Sequence, residues 1–266
     1  MNVLSLFDGI SVARVALDIA GFDVKNYYSA EIDAHAIRVS SKNYPLIKRL
    51  GSVCDVSLNT FEPIDLLIGG SPCQDLSIAK KDRKGLDGNR SGLFWDYVRI
   101  RDLVKPNWFI LENVASMPQK DKDIITKAMG VEPVMFNASL VSAQTRKRLF
   151  WTNIKFDLPA DRGIVLKDIL EQNAEVDERM VNKDKKAYTL TARYAGAQEK
   201  NSVEKKQRTM VVDTETFNIR KFTPIECERL QSLPDNYTEG VSNTQRYKCL
   251  GNAFNAEVIA HILKHI

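Results

Sequence analysis

Histidine and cysteine are scarce in this chain, and their placement argues against a structural zinc site. The 266 residues include three histidines and four cysteines. The cysteines form no Cys-x-x-Cys pair, and the histidines make no ligand pattern with them. A chain of this length buries enough core without disulfides, so a reducing compartment is expected. Each cysteine is therefore expected to be a small buried hydrophobe, unless its surroundings make it a nucleophile.

Long apolar runs are also missing, and the first residues are not expected to form a signal peptide. No stretch approaches the roughly 20 apolar residues that a membrane-spanning helix needs. The first residues carry no basic segment and include an acid at Asp8, unlike a signal peptide. A composition of 44% hydrophobic and 27% charged residues excludes a disordered or fibrous chain, and the length predicts one to two domains. We expect a soluble, internal protein.

Excess charge of one sign is small but unevenly placed. The net charge is +4, from 38 basic and 34 acidic residues. The segment from Asp177 to Lys221 holds eleven basic and seven acidic residues, an excess equal to that of the whole chain. A localised basic surface is what a polyanionic partner requires. A solvated loop with scattered charge explains the same numbers equally well.

Strand and helix patterns alternate through the first part of the chain. Strand patterns are found at 3–7, 24–30, 65–68 and 107–111, and helix patterns at 11–21, 34–41, 223–233 and 255–266. The alternation predicts an α/β fold built on a doubly wound, mostly parallel sheet. Ligands bind beyond the carboxyl ends of such strands, so the polar residues that follow them are expected to share one cleft.

The amino-acid composition changes after Trp151. Residues 157–216 are polar with few aromatics, and 196–208 have no core-forming pattern. We interpret this region as a small, partly mobile insertion. The predicted divisions are a main domain over 1–156, an insertion over 157–219, and a return to the main domain over 220–266.

A glycine turn, Phe7-Asp-Gly-Ile-Ser11, joins the first strand to the first helix. Such a turn brings backbone close to a nucleotide-like ligand, although the full G-x-G-x-x-G pattern is absent. Glu31 ends the second strand, where an acid usually holds ribose hydroxyls, and Asp55 near the next strand end is placed for an adenine amino group. Together they indicate an adenosine-containing cofactor. NAD and S-adenosylmethionine both stay open, as do coincidental acids at strand ends.

A rigid turn follows the third strand pattern, and it presents the side chain of Cys73. Two glycines and Pro72 fix the backbone there, which is how a nucleophile is displayed. Glu112 ends a neighbouring strand, which places a carboxyl beside the thiol. This pair suits activation of an electron-poor ring by addition and suits hydride transfer poorly. A lone cysteine is usually structural, but Pro-Cys directly after a strand-end turn is not a usual core position.

Four motifs occur together in one order: Pro72-Cys73-Gln74, Glu112-Asn113-Val114, Gln144-Thr-Arg146-Lys-Arg148 and Gly251-Asn252-Ala253. As an ordered set they resemble the cytosine-C5 DNA methyltransferases over nearly the whole chain except 157–216. Other details resemble the Dnmt3-like branch, whereas the ending at Phe254 is closer to the bacterial enzymes. The resemblance implies the Rossmann-like fold of methyltransferases that use S-adenosylmethionine, and a compact cytoplasmic enzyme of bacterial or phage type.

The resemblance also implies roles for the catalytic residues. The thiolate of Cys73 would add to C6 of a flipped-out cytosine, which makes C5 nucleophilic toward the sulfonium methyl group. Glu112 would bind the N3/N4 edge of the base and protonate N3. Asn113 would organise the loop, while Arg146 would contact the base O2 and steer the carboxylate.

The implied cofactor site gathers residues from several strand ends. Its members are Phe7, Gly9, Ile10, Glu31, Ile32, Asp55, Val56, Pro72, Leu93, Asn252 and Ala253. One departure concerns the common pattern Phe-x-Gly-x-Gly, which here has Ser11 at its second glycine. Dnmt3-like proteins lack that glycine too, so a slightly different contact with the methionine end is expected. No metal is expected.

Implied contacts with double-stranded DNA lie on two segments and one further arginine. They are Gln74, Ser77, Lys81, Arg83, Arg148 and Arg193. The basic loop 74–90 follows the nucleophile and would close over the flipped base, although such a charge run is more often a solvated face. Segment 188–194 is the expected target-recognition segment. Within it Arg193 is either a base reader or, with Tyr194, a structural support.

Three other functions stay open at this point. The first is a Dnmt2-like tRNA cytosine-C5 methyltransferase, whose expected Cys-Phe-Thr signature is absent. The second is a catalytically inactive, Dnmt3L-like DNA-binding module, against which Cys73 and Glu112 argue. The third is a nucleotide-dependent oxidoreductase, which explains only the first glycine turn. The motifs do not decide whether the chain forms a homodimer or has a cognate restriction nuclease, and no membrane partner is expected.

Overall fold

The strands and helices are those of a computed structural model, which describes residues 1–57, 62–71 and 93–266. The strands are β1 Asn2–Leu6, β2 Asn26–Ala30, β3 Lys48–Gly51, β4 Leu66–Gly70, β5 Trp108–Val114, β6 Val134–Asn137, β7 Lys147–Thr152, β8 Ala174–Val176, β9 Val211–Asp213 and β10 Ile219–Arg220. The helices are α1 Val12–Ala20, α2 Ala34–Asn43, α3 Phe94–Val104, α4 Gln119–Met129, α5 Glu199–Val203, α6 Pro224–Leu230, α7 Asn243–Asn252 and α8 Ala256–Leu263.

Seven of the strands form one sheet in the order β3-β2-β1-β4-β5-β7-β6. The pairs from β3 to β5 are parallel, and β7 runs antiparallel to both β5 and β6. The strand order reverses beside β1, which has β2 on one side and β4 on the other. This confirms the predicted α/β fold with a doubly wound, mostly parallel sheet, and it sets a crevice at the carboxyl ends of β1 and β4.

Helices cover both faces of this sheet. Buried residues of α1 and α8 pack on one face, among them Ala16, Leu17 and Ile262. Helices α3 and α4 cover the other face through residues such as Tyr97 and Ile125. The two apolar layers hold the sheet so that its polar strand ends meet at one edge.

Glycine is required where β4 passes closest to β1. A Cβ atom added at Gly69 would lie 2.9 Å from the carbonyl oxygen of Leu6 and 3.2 Å from the Tyr97 ring. Real Cβ atoms do not approach backbone oxygens so closely, so a larger residue would push the two strands apart. Gly69 therefore serves the packing of β4 against β1 and against Tyr97 of α3.

The C-terminal part begins with the helix start that its sequence predicts. The hydroxyl of Thr223 accepts the Glu226 backbone N–H at 3.2 Å, and the Glu226 carboxylate accepts the Thr223 N–H at 2.8 Å. Pro224 occupies the first helical position. Two orphan backbone donors are thereby satisfied, and α6 starts at a fixed point.

The insertion carries a small antiparallel sheet, in the order β10-β9-β8. Its buried residues, including Met180, Leu190 and Val211, share one core with the start of α1 and with α6 and α7. Part of the segment expected to lack a core pattern lies in that core, since Ala197 belongs to it and Val203 packs against it. The division into 1–156, 157–219 and 220–266 stays a prediction.

The described cysteines are free thiols, and two of them match the expectation of small buried hydrophobes. Cys227 and Cys249 are buried, whereas Cys54 is exposed. Burial raises the pKa of both buried thiols, that of Cys249 to about 12, so they stay protonated and inert. Within 1–57, 62–71 and 93–266, no helix has the length and hydropathy to cross a membrane. The same residues contain no group of side chains suited to hold a metal ion.

Candidate functional site

Glu112 lies at the carboxyl edge of the large sheet, near the end of β5. It pairs in register with Gly70 of β4 on one side and Phe150 of β7 on the other. Its side chain is 12% exposed and opens to a pocket that Arg148 and Phe254 also line. The site therefore offers one partly buried carboxyl at a strand end, as the sequence predicts.

Arg148 is the cation that contacts this carboxyl. Its Nε atom lies 2.8 Å from Oε1 of Glu112, and both side chains are largely buried. The pairing follows from the antiparallel register of β5 and β7, which sets Arg148 opposite Val114 and close to Glu112. Charge-assisted contacts of this length orient a carboxyl strongly.

Arg146 occupies a different environment, although it lies only two residues earlier. Its guanidinium is buried and donates to three carbonyl oxygens, those of Leu190 at 3.0 Å, Ala253 at 2.7 Å and Gly251 at 3.3 Å. We expected Arg146 to steer the Glu112 carboxylate, and that role stays a prediction: Arg146 lines the same pocket as Glu112, while the ion pair with the carboxylate is made by Arg148. The sequence gave no signal for the contact of Arg148, because two arginines two residues apart look alike in the motif.

Asn113 links the end of β5 to the turn that follows β4. Its side-chain amide donates to the hydroxyl of Ser71 at 3.1 Å, and its oxygen accepts the Val114 backbone N–H at 2.8 Å. Both Asn113 and Ser71 are buried. The predicted loop organiser is therefore placed beside the residue that precedes the Pro-Cys motif.

Several predicted site residues lie outside the described part of the chain. They are Pro72, Cys73, Gln74, Ser77, Lys81 and Arg83. In the sequence, the described residues that flank this segment are Ser71 and Leu93, and Leu93 directly precedes α3.

The turn after β1 brings two predicted cofactor residues together. Phe7, Gly9 and Ser11 all have left-handed backbones, with φ of 55°, 57° and 60°. The N–H of Gly9 donates to Glu31 at 2.8 Å, and the other oxygen of Glu31 accepts the N–H groups of Ile32 and Asp33 at 2.8 Å each. One carboxylate thus ties the end of β2 to the glycine turn.

The environment of the glycine turn is half open and half closed. A Cβ atom at Gly9 would meet nothing within 4 Å, and the apolar side chain of Ile32 is 74% exposed. Below the turn Ile10 is buried, and its carbonyl oxygen accepts the Tyr237 hydroxyl at 2.6 Å. Burial raises the pKa of Tyr237, which keeps the hydroxyl a donor.

The other predicted cofactor residues are spread along the same edge. Asp55 is exposed in a 3₁₀ turn and Val56 after it is buried, whereas Asn252 is exposed at the end of α7. Ala253 is buried, and its carbonyl oxygen holds Arg146. Within residues 1–57, 62–71 and 93–266, no hydrogen bond joins these four residues to Gly9 or Glu31.

Two residues of the site had no predicted role. A Cβ at Gly70 would lie 2.9 Å from the ring of Phe254, so that ring closes on the strand end beside Glu112. Gln231 is buried and donates to the Leu250 carbonyl oxygen at 2.6 Å, while its own oxygen accepts the Gln144 amide at 3.1 Å. Phe254 adjoins the Gly-Asn-Ala motif, which is a usable signal, but no pattern in the sequence marks Gln231.

Comparison with known proteins adds independent findings. A family model described as C-5 cytosine-specific DNA methylase matches residues 1–206 and 169–266. The chain is 27% identical over 311 residues to the type II methyltransferase M.NlaX of Neisseria lactamica, covering 100% of this chain and 96% of that protein. It is 26% identical over 313 residues to M.HhaI of Haemophilus parahaemolyticus, covering 100% and 94%.

Solved structures share the fold at low sequence identity. The Entamoeba histolytica methyltransferase EhMeth superposes with a TM-score of 0.73 and 19% identity, covering 100% of this chain and 97% of that one. A putative DNA modification methyltransferase encoded within an Escherichia coli prophage gives 0.70 and 22%, covering 100% and 98%. At these identities the likeness concerns the fold alone.

Proposed function

The chain belongs to the C-5 cytosine-specific DNA methylase family and is an enzyme, and on that premise we propose its substrate, cofactor and chemistry. We propose that it moves a methyl group from S-adenosylmethionine to C5 of a cytosine turned out of duplex DNA. The observation that carries this proposal is the Glu112–Arg148 pair at the sheet edge, next to the Asn113–Ser71 contact.

Cys73 is the proposed nucleophile. It follows Ser71 by two residues, and Ser71 is held by Asn113, whose neighbour in sequence is Glu112. The thiolate forms a bond to C6, and the electron pair of the C5–C6 double bond moves into the ring. Support for this step comes from the Pro-Cys motif and its place in the chain, since Cys73 lies outside the described residues.

Glu112 is the proposed acid that serves the base. Its carboxyl donates a proton to N3 as the thiolate adds, and this relieves the negative charge that builds in the ring. Arg148 holds one carboxyl oxygen at 2.8 Å, which leaves the group aimed into the pocket. We propose that Arg148 steers the Glu112 carboxylate and contacts the base. Arg146 becomes a positioning residue, because its guanidinium is bonded to three backbone carbonyls.

The glycine turn fits an adenosine-containing group. Open space above Gly9, the carboxylate of Glu31 and the exposed side chain of Ile32 provide backbone approach, an acceptor and an apolar surface. When bound, S-adenosylmethionine supplies an electrophilic methyl group. Phe7, Gly9, Ile10, Glu31 and Ile32 would hold it, with Asp55, Val56, Pro72, Leu93, Asn252 and Ala253 completing the proposed site.

Once C5 carries the methyl group, the ring must regain its aromatic character. A base removes the C5 proton, the C–H electron pair restores the C5–C6 double bond, and the thiolate of Cys73 leaves with the electron pair of the C6–sulfur bond. N3 then returns its proton to the Glu112 carboxylate. Turning the base out of the helix costs about a few kcal/mol. The insertion carries the excess basic residues of the chain, and its exposed side is the proposed DNA-facing surface. Arg193 is exposed there and is the proposed base reader, whereas Tyr194 is buried and supports it.

The first experiment expresses the chain in a host without cytosine methylation and maps 5-methylcytosine in genomic DNA by bisulfite sequencing. We expect methylation at one short sequence. A methylated tRNA beside unmodified DNA would favour a Dnmt2-like enzyme. Unmodified DNA and tRNA, from a folded protein that binds S-adenosylmethionine, would refute the active enzyme.

A trapping experiment tests the roles of the two residues. Duplex DNA with 5-fluorocytosine should form a covalent complex that survives denaturation, because fluorine cannot leave C5 as a proton does. Cys73→Ala should abolish the complex, and the matched control Cys54→Ala should not, since that thiol is the exposed one among the described cysteines. Glu112→Gln should slow methyl transfer by about 10²–10⁴-fold. A complex formed by Cys73→Ala would assign the nucleophile elsewhere.

A further inference from the structure

Ser11 adopts a backbone conformation that favours glycine. Its φ and ψ are 60° and 39°, in the left-handed region, and its side chain is fully buried. The common family pattern carries glycine at this position, where left-handed backbone has no steric cost. A serine in this conformation is strained, so contacts around it must hold it in place.

The hydroxyl of Ser11 is held on two sides. It donates to Oδ2 of Asp8 at 2.5 Å and lies in hydrogen-bond contact with the hydroxyl of Ser40. A serine hydroxyl has one hydrogen to give, so Ser40 is the donor in the second contact. The Asp8 side chain is buried and also accepts the Tyr27 hydroxyl at 2.7 Å.

Arg49 of β3 completes this arrangement from the edge of the sheet. One of its terminal nitrogens donates to the Ser40 hydroxyl at 2.7 Å, and the other donates to Ser29 at 3.1 Å. The second nitrogen also lies 3.9 Å from Oδ2 of Asp8. Arg49 thus faces the buried carboxylate of Asp8. The Ser40 hydroxyl accepts a hydrogen bond from Arg49 and donates its own hydrogen to the Ser11 hydroxyl.

We propose that Ser40 and Arg49 are positioning residues for the cofactor site, because they hold Ser11 in the left-handed turn that a glycine would adopt freely. We call Asp8, Ser11, Ser40 and Arg49 the serine latch. The inference rests on the proposed function, since the turn it holds is the one that would contact S-adenosylmethionine. With the latch broken, a smaller fraction of molecules carries the binding-competent turn, and the apparent Kd rises in proportion.

The test measures binding of S-adenosylmethionine to the full chain by isothermal titration calorimetry. Ser40→Ala should raise Kd about tenfold, which corresponds to about 1.4 kcal/mol. Ser41→Ala is the matched control: its hydroxyl is exposed and accepts from Arg49 only at 3.3 Å, so Kd should stay within about twofold. In turnover assays Ser40→Ala should raise KM for S-adenosylmethionine and leave kcat unchanged.

A second background separates a latch from general support of the fold. In the Ser11→Gly variant the turn needs no hydroxyl contacts. Adding Ser40→Ala to that variant should therefore raise the Kd for S-adenosylmethionine by less than about twofold. Equal weakening in both backgrounds, or a Ser40→Ala that lowers only the urea midpoint, would overturn the latch. Equal affinities of Ser40→Ala and Ser41→Ala would do the same. A wild-type chain that does not bind S-adenosylmethionine would instead refute the proposed function.

Discussion

Two regions of the molecule use the same kinds of polar side chain in opposite ways. At the pocket edge, formed by Glu112 and Arg148, both charged groups keep some exposure and contact each other. At the insertion joint, formed by Gln144, Arg146 and Gln231, the side chains are buried and bond mainly to backbone carbonyls of distant segments. The first region presents an ion pair to the pocket, whereas the second uses most of its polar atoms to join distant segments, although Arg146 also lines that pocket.

The difference shows how a single motif divides its work. Arg146 and Arg148 belong to one Gln-Thr-Arg-Lys-Arg segment, yet one joins the insertion to the end of α7 and the other meets a carboxyl. Residue type does not distinguish them. Burial and the nature of the partners do, because a guanidinium surrounded by carbonyls has few donors left for a ligand.

Replacing Arg146 should have the largest effect, and it acts on stability. Arg146→Met leaves the carbonyls of Leu190, Gly251 and Ala253 buried without their donor, so we expect the free energy of unfolding to fall by about 3 kcal/mol. Urea denaturation followed by far-UV circular dichroism measures it. A loss below about 1 kcal/mol would contradict the division between the two regions.

Replacing Arg148 should act on chemistry instead. Arg148→Met removes the contact that orients Glu112, and we expect methyl transfer to slow by about 100-fold while the unfolding free energy changes by less than about 1 kcal/mol. Transfer of a labelled methyl group to DNA gives the rate. If Arg148→Met and Arg146→Met lower the unfolding free energy equally, the two arginines share one structural role, and the distinction between the pocket edge and the insertion joint is wrong.

The smallest of the three effects should come from removing one buried hydroxyl of the insertion, that of Tyr194. Tyr194 donates to the Thr209 carbonyl oxygen at 2.6 Å and accepts the Phe222 N–H at 2.9 Å, both buried. Tyr194→Phe should lower the unfolding free energy by about 1.5 kcal/mol. The matched control Tyr44→Phe removes a hydroxyl that bonds to the more exposed Asp18, and should cost less than about 0.5 kcal/mol.

Sequence patterns were sufficient for the parallel centre of the sheet and for the family, whereas β3, β6 and β7 matched none of the predicted strand patterns. The short apolar runs before Asp8, Glu31 and Gly69 alternate with helix patterns, and their strands lie in the sheet as predicted. The ordered motifs pointed to the family that the comparison identifies. Both signals are local, because each strand end carries its own polar residue.

The rest depends on contacts between distant segments. Leu166, Met180 and Leu190 lie in short, scattered apolar patches of a polar stretch, and they form one core together with residues of α1, α6 and α7. No periodicity within the insertion reveals this. Which of Arg146 and Arg148 contacts Glu112 likewise depends on distant segments, because the carbonyl oxygens of Leu190 and Ala253 accept hydrogen bonds from Arg146. Ser11 could be recognised as a departure from the pattern, but its partners Ser40 and Arg49 could not.

The packing of α8 against α1 joins two elements that lie far apart in the sequence. These helices close one face of the sheet together, and the Tyr237 hydroxyl reaches back to the carbonyl of Ile10, 227 residues earlier. During synthesis the glycine turn therefore emerges long before the residues that cover it. Ribosome-bound chains in which α8 has not yet emerged would expose the apolar face of α1, so ordering of the glycine turn depends on the later synthesis of α8.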